Sequence, residues 1–143
     1  MTNTADVKHS AYGKLSKGSV HMPSSSLPVD AYKAIIDQLV NETTHSVLGR
    51  HVAECGIFPE ASAAAAFNQL IGSLTPEQRK LLGEMLHEER AGTIHDVLAM
   101  LTRWILSQGL GFTFRGEPMP VELSGMGLHG DYIGRRQGWE WPA

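Results

Sequence analysis

Residues 75–109, TPEQRKLLGEMLHEERAGTIHDVLAMLTRWILSQG, constrain this chain most, because no other segment is both long and strongly helical in its residue choice. Thr75 offers an N-cap hydroxyl and Pro76 fills the first helical position, where a missing N–H does no harm. Glu77 faces the positive end of the helix dipole, and Gln78 stands three residues after the cap. A helix therefore begins here.

At about 100° per residue, Leu81, Leu82, Met85 and Leu86 share one face, and Val97, Leu98, Leu101, Trp104 and Ile105 share another. The two stripes do not join smoothly. Gly92 lies at the seam, where a helical glycine costs about 1 kcal/mol relative to alanine, and Thr93 with Asp96 after it resembles a second N-cap. The expectation is two helices, or one kinked helix, with the bend near Gly92.

Beside that seam lies the candidate polar cluster: Glu88, Glu89, Arg90, His95 and Asp96. Glu89, Thr93 and Asp96 fall on the bearing of the first apolar stripe and Arg90 on that of the second. Carboxylates on a core-facing stripe are costly unless paired, so Arg90, Arg103, Arg135 and Arg136 are the available partners. His87 and His95, with Glu84 and Glu88, fall on the outward face. The cluster is read as a structural ion-pair knot fastening helices and tail, with the lining of a binding site and simple solvation of the charges as the alternatives.

The 143 residues, 42% hydrophobic, suffice for one domain with a single core. Net charge is −3, and residues 1–27 carry +2 of their own, which leaves −5 on the remainder. That balance argues against a nucleic-acid partner held through phosphates. One cysteine, Cys55, forms no intrachain disulfide, and no apolar run is long enough for a membrane span, so a cytoplasmic protein is expected. Cys55 itself is read as a small buried hydrophobe.

Residues 1–27 lack apolar periodicity and read as a disordered arm, in part non-native or upstream of the true start if Met22 is the native first residue. Residues 28–143 then form a single helical domain. A first helix starts at Pro28, with Tyr32, Ile35, Ile36, Leu39 and Val40 at helical spacing. Residues 46–54 continue it or form a second helix, which Gly56 stops. Pro59 and Glu60 open a further helix whose alanines permit close approach of a neighbour, and a short connection at residues 73–75 makes a helical hairpin with the long stretch. After Gly109 the pattern alternates: Leu110, Phe112 and Phe114, a turn at residues 115–118, then Met119, Val121 and Leu123, which reads as a β-hairpin. Asp131 is a candidate N-cap for a short last helix. The expected fold is mainly α: a small bundle of four to five helices with a C-terminal β-hairpin and a short terminal helix. Arg135, Arg136, Trp139 and Trp141 are the candidate tail contacts, the tryptophans as a plug on the core or as an interface.

No cofactor or metal site is expected. Glu84-x-x-His87 has the spacing of a di-iron carboxylate helix, but the other helices do not supply the remaining ligands. His87 lacks a second histidine four residues on, and His95 stands about 12 Å further along a straight helix. No nucleophile with base and orienter, phosphate loop or dinucleotide fingerprint is present.

LTPEQ at residues 74–78, E-E-R-x-G-x-I-H-D-V-L-A-x-L at residues 88–101 and the ending WEWP resemble an uncharacterised family of short bacterial proteins, a domain of unknown function, over about Val29 to the end. The resemblance implies a small, mainly helical bacterial protein and brings no activity with it. Taken together, the residues favour a non-enzymatic interaction domain, inhibitor-like, immunity-like or self-associating, whose acidic surface or exposed hairpin edge binds another protein or a second copy. The alternative is a small hydrolase or ligand-binding enzyme with Glu89, His95 and Asp96 in a pocket at the Gly92 bend.

Overall fold

The structure is a computed structural model and describes residues 27–44, 46–59 and 64–142. The expected N-terminal arm therefore lies outside the described residues, apart from Leu27. The first helix, α1 (Pro28–Thr44), buries Ala31, Tyr32 and Ile36 on one side, with Leu39 and Val40 partly covered, while Ile35 turns outward. Thr43 ends the buried side, its hydroxyl donating to the Val40 carbonyl at 2.7 Å.

The next segment is a helix of its own, α2 (Val47–Arg50), because Ser46 leaves helical geometry and its side chain accepts the Gly49 N–H. It runs on into a π-helical turn, His51–Cys55, stopped by Gly56 at φ 65°. Val52 is buried on this turn and Cys55 is exposed, contrary to the buried cysteine expected from α-helical spacing. An i→i+5 turn advances each residue by less than the 100° of an α-helix. Cys55 therefore falls off the bearing of Val52.

Helix α3 (Ala64–Ser73) is joined by a short link to α4 (Pro76–Gln108), as expected; the expected start of α3 at Pro59 and Glu60 leads into residues 60–63, which lie outside the described residues. Only Ile71 of α3 is buried. Ala65 and Ala66 face solvent and receive no neighbouring helix. Asn68 ties α3 to the preceding loop, its side chain accepting the Phe58 N–H at 2.6 Å and donating to the Phe58 carbonyl at 3.2 Å.

Helix α4 spans 33 residues, about 50 Å at 1.5 Å per residue. The capping box reads as the sequence implies: Thr75 Oγ1 accepts the Gln78 N–H, Gln78 Oε1 accepts the Thr75 N–H, and Gly109 closes the other end at φ 68°. It is one helix that runs on through Gly92, so of the two expectations, two helices or one kinked helix, the first does not hold. Thr93 is an interior residue whose hydroxyl donates to the Glu89 carbonyl at 3.0 Å, so it caps nothing. The stripe that α4 turns inward is Gly83, His87, Ala91, Ile94, Leu98 and Thr102, at steps of four and three, and it passes Gly92 without interruption. Leu81, Met85, Val97 and Trp104, read as core residues, are exposed, and His87, read as outward, is half-buried. Nothing lies within 4 Å of a Cβ built on Gly92. Gly92→Ala is thus expected to stabilise the protein by about 1 kcal/mol in urea unfolding; a loss would mean that glycine geometry is needed there.

Strands β1 (Phe112–Phe114) and β2 (Glu117–Met119) pair antiparallel, Phe112 opposite Met119 and Phe114 opposite Glu117. The turn is narrower than expected, Arg115 and Gly116 alone. Both have positive φ, as the tight turns that follow strand twist require. Helix α5 (Gly127–Arg136) begins four residues before Asp131, so Asp131 is not its N-cap but a buried residue of its interior. The core is Tyr32 and Ile36 of α1, Leu98 of α4, and Leu128 and Tyr132 of α5, with Phe112 and Met119 of the hairpin laid against it. The fold is mainly α, a helical bundle with a C-terminal hairpin and a short last helix, as the sequence implies.

Candidate functional site

The polar residues beside Gly92 do not meet at one point. Arg136 donates to both carboxylate oxygens of Glu88, at 3.1 and 3.3 Å, and clips α5 to α4. Glu89 and Arg90 point into solvent and form no ion pair among the described residues. His95 Nδ1 lies 3.1 Å from Asp96 Oδ1, with the Asp96 side chain 84% exposed. The His95 ring meets His129 edge-on at 5.4 Å, and His129 Nδ1 is 3.3 Å from Thr102 Oγ1. Glu89, His95 and Asp96 therefore line no common described cavity.

Tail and first helix are clasped together. Arg135 Nε donates to one oxygen of Asp37 at 2.7 Å and Trp141 Nε1 to the other at 3.1 Å. The Arg135 guanidinium sits 5.2 Å from the centre of the Trp141 ring and also donates to the Trp139 carbonyl. Trp141 meets Tyr32 edge-on, and Trp139 lies over Gly134, close enough that a side chain there would strike its ring. Asp37, which organises this clasp, was not singled out from the sequence. On its own helix the partner that spacing suggests is Lys33, four residues before it, but Lys33 donates to the Pro142 carbonyl and Asp37 is left to the tail.

Two further surfaces emerge only in three dimensions. At the first, α2 crosses α4 at Gly49 and Gly83, backbone almost against backbone. His87 lies beside this crossing, its Nδ1 buried without a hydrogen-bond partner. Cavities of about 300 and 440 Å³ open around it: Arg50, Glu54 and Lys80 line the first, Thr43, Glu88 and Arg136 the second, and Glu84 borders both. The signal that could have found His87 is the small-residue spacing Gly83, His87, Ala91, hidden because only large apolar residues were counted.

The second surface is the outer side of α4. Near its start, Leu82 and Leu86 are half-buried and line an apolar cavity with Val52, Phe58 and, from α3, Phe67, Leu70 and Ile71. Beyond Leu86 the same bearing continues through Thr93, Val97, Met100, Trp104 and Ser107, all exposed. Val97 is 49%, Met100 42% and Trp104 56% accessible. Asp96 and Arg103 flank this apolar run.

Among the described residues no three His, Cys, Asp or Glu side chains come together to hold a metal ion, and no helix is long and apolar enough to cross a membrane. A family described as a family of unknown function (DUF6547) matches residues 25–143, and the chain belongs to it. Neither a curated protein nor a solved structure matches the chain.

Proposed function

We propose that this is a bacterial, cytoplasmic protein-interaction domain that works without catalysis and docks its partner on the outer face of α4 between Thr93 and Ser107. The single observation that carries this is the exposed run Val97, Met100 and Trp104 on one bearing of a regular helix. Scattered surface hydrophobics are ordinary, but an aligned row with a tryptophan at its end is the arrangement that a helix-packing partner buries. Its backbone is already ordered along α4, so docking there orders side chains alone. The exposed, unpaired thiol of Cys55 suits a reducing compartment.

A photo-crosslinking amino acid at position 100, incorporated in the cell that makes the protein, tests the proposal. One discrete protein adduct is expected on irradiation, abolished by Trp104→Asp. Failure of the probe to capture any polypeptide would refute the interaction reading.

A further inference from the structure

We infer that the occupant of this face is a second copy of the chain, packed antiparallel to the first about a two-fold axis at the level of Leu98 and Ala99. The inference rests on the interaction reading above and names its partner.

Spacing comes first. Thr93, Val97, Met100, Trp104 and Ser107 follow one another at steps of four, three, four and three, the repeat by which one helix interlocks with another. In an antiparallel pair centred at Leu98 and Ala99, Val97 packs against the partner's Met100, and Thr93 lies under the partner's Trp104. The indole of each copy covers the small Thr93 of the other. The row begins beyond the part of α4 that lines a cavity with α3, so neither copy has to displace its own helix.

Charge then selects the partner and the direction. Asp96 and Arg103 stand on the same flank, each one position before a seam residue, Val97 and Trp104. Antiparallel packing brings flank residues of this kind together across the interface: Asp96 meets the partner's Arg103, and Arg103 meets the partner's Asp96. Parallel packing would instead set Asp96 against Leu101 and Arg103 against Gln108, with no charge matched. Within one copy Arg103 has no ion pair among the described residues, and Asp96 has only its surface contact with His95. The face thus carries both halves of its own electrostatic match, which a surface shaped for an unrelated protein has no reason to do. A seam of two heptads, about 20 Å long, is small. The dimer belongs to the weak, reversible class, with a dissociation constant on the order of 10 μM.

Sedimentation velocity of the full chain across the micromolar range reads this directly, and a concentration-dependent monomer–dimer equilibrium is expected. D96R and R103D should each weaken the dimer by about tenfold, because two symmetry-related pairs change sign at once. The double variant D96R/R103D restores the match and should return to within about threefold of the parent. Both positions are exposed, so circular dichroism of all three variants should be unchanged. A monomer at every concentration overturns the inference. So do single variants that dimerise like the parent, or a double variant as weak as the singles. If the protein stays monomeric while the position-100 probe captures a different polypeptide, the second copy is excluded and the interaction reading stands. A monomer whose probe captures nothing removes both.

Discussion

Replacing Asp131 with alanine is expected to cost the fold about 3 to 5 kcal/mol in urea unfolding, the largest effect of any single polar change among the described residues. Asp131 is 2% exposed, yet its carboxylate accepts three hydrogen bonds: from the Tyr32 hydroxyl at 2.5 Å, the Leu123 N–H at 2.8 Å and the Ser124 N–H at 2.9 Å. Truncation strands a buried phenol and two backbone donors together. Tyr32→Phe removes one donor and leaves the other two served, so it should cost only about 1 kcal/mol. A loss below that figure for Asp131→Ala would show that water replaces the carboxylate without penalty. The pair also fixes an alkaline limit. Burial first, and the hydrogen bond to Asp131 second, push the Tyr32 hydroxyl far above its ordinary value of 10.0. Below that value both native and unfolded chains hold the proton and the contribution is constant. As pH rises past about 10 the unfolded chain releases it and the native one does not, so stability falls.

Gly83→Ala is expected to destabilise by about 2 to 3 kcal/mol, although alanine is the better helix former. A Cβ at Gly83 would stand 2.7 Å from the Gly49 carbonyl oxygen and 2.9 Å from the Ala53 Cβ. Neither of these atoms can rotate aside, so α2 and the π-turn must move off α4. The sign is opposite to that expected at Gly92, about two and a half helix turns further on, where the same substitution meets open space. Thermal unfolding of the two variants side by side separates the effects. An unchanged or raised Tm for Gly83→Ala would mean that the crossing is not closely packed.

The contrast between these glycines shows what the sequence conveys and what it hides. Caps and turns are local chemistry, so Thr75 with Gln78, Gly56, Gly109 and the Arg115–Gly116 hairpin were legible. Gly92 was misread because a glycine's helical cost is local, while its tolerance depends on the stripe that passes beside it. Gly83, His87 and Ala91 belong to that stripe and went unnoticed, since close approach of two backbones uses small residues rather than large apolar ones. Cys55 followed α-helical spacing into the core, and the π-turn took it out again. At the candidate interface, Asp96 was singled out for a partner inside the chain, while Met100 was not singled out and Arg103 was noted only as an available cation. Their spacing becomes informative only after the fold shows that this side of α4 is left uncovered.

The clasp between α1 and the tail also has a consequence for how the molecule is made. Tyr32 waits for Asp131 across 99 positions, and Asp37 waits for Trp141 across 104. Closing loops of that length is slow to repay its entropy. On the ribosome α1 is therefore made well before the residues that finish covering it, and Tyr32 and Asp37 gain these partners only once the chain through Trp141 has been synthesised. Completion of the clasp is a late event, governed by the synthesis of residues 131–141 rather than by the helix that appears first.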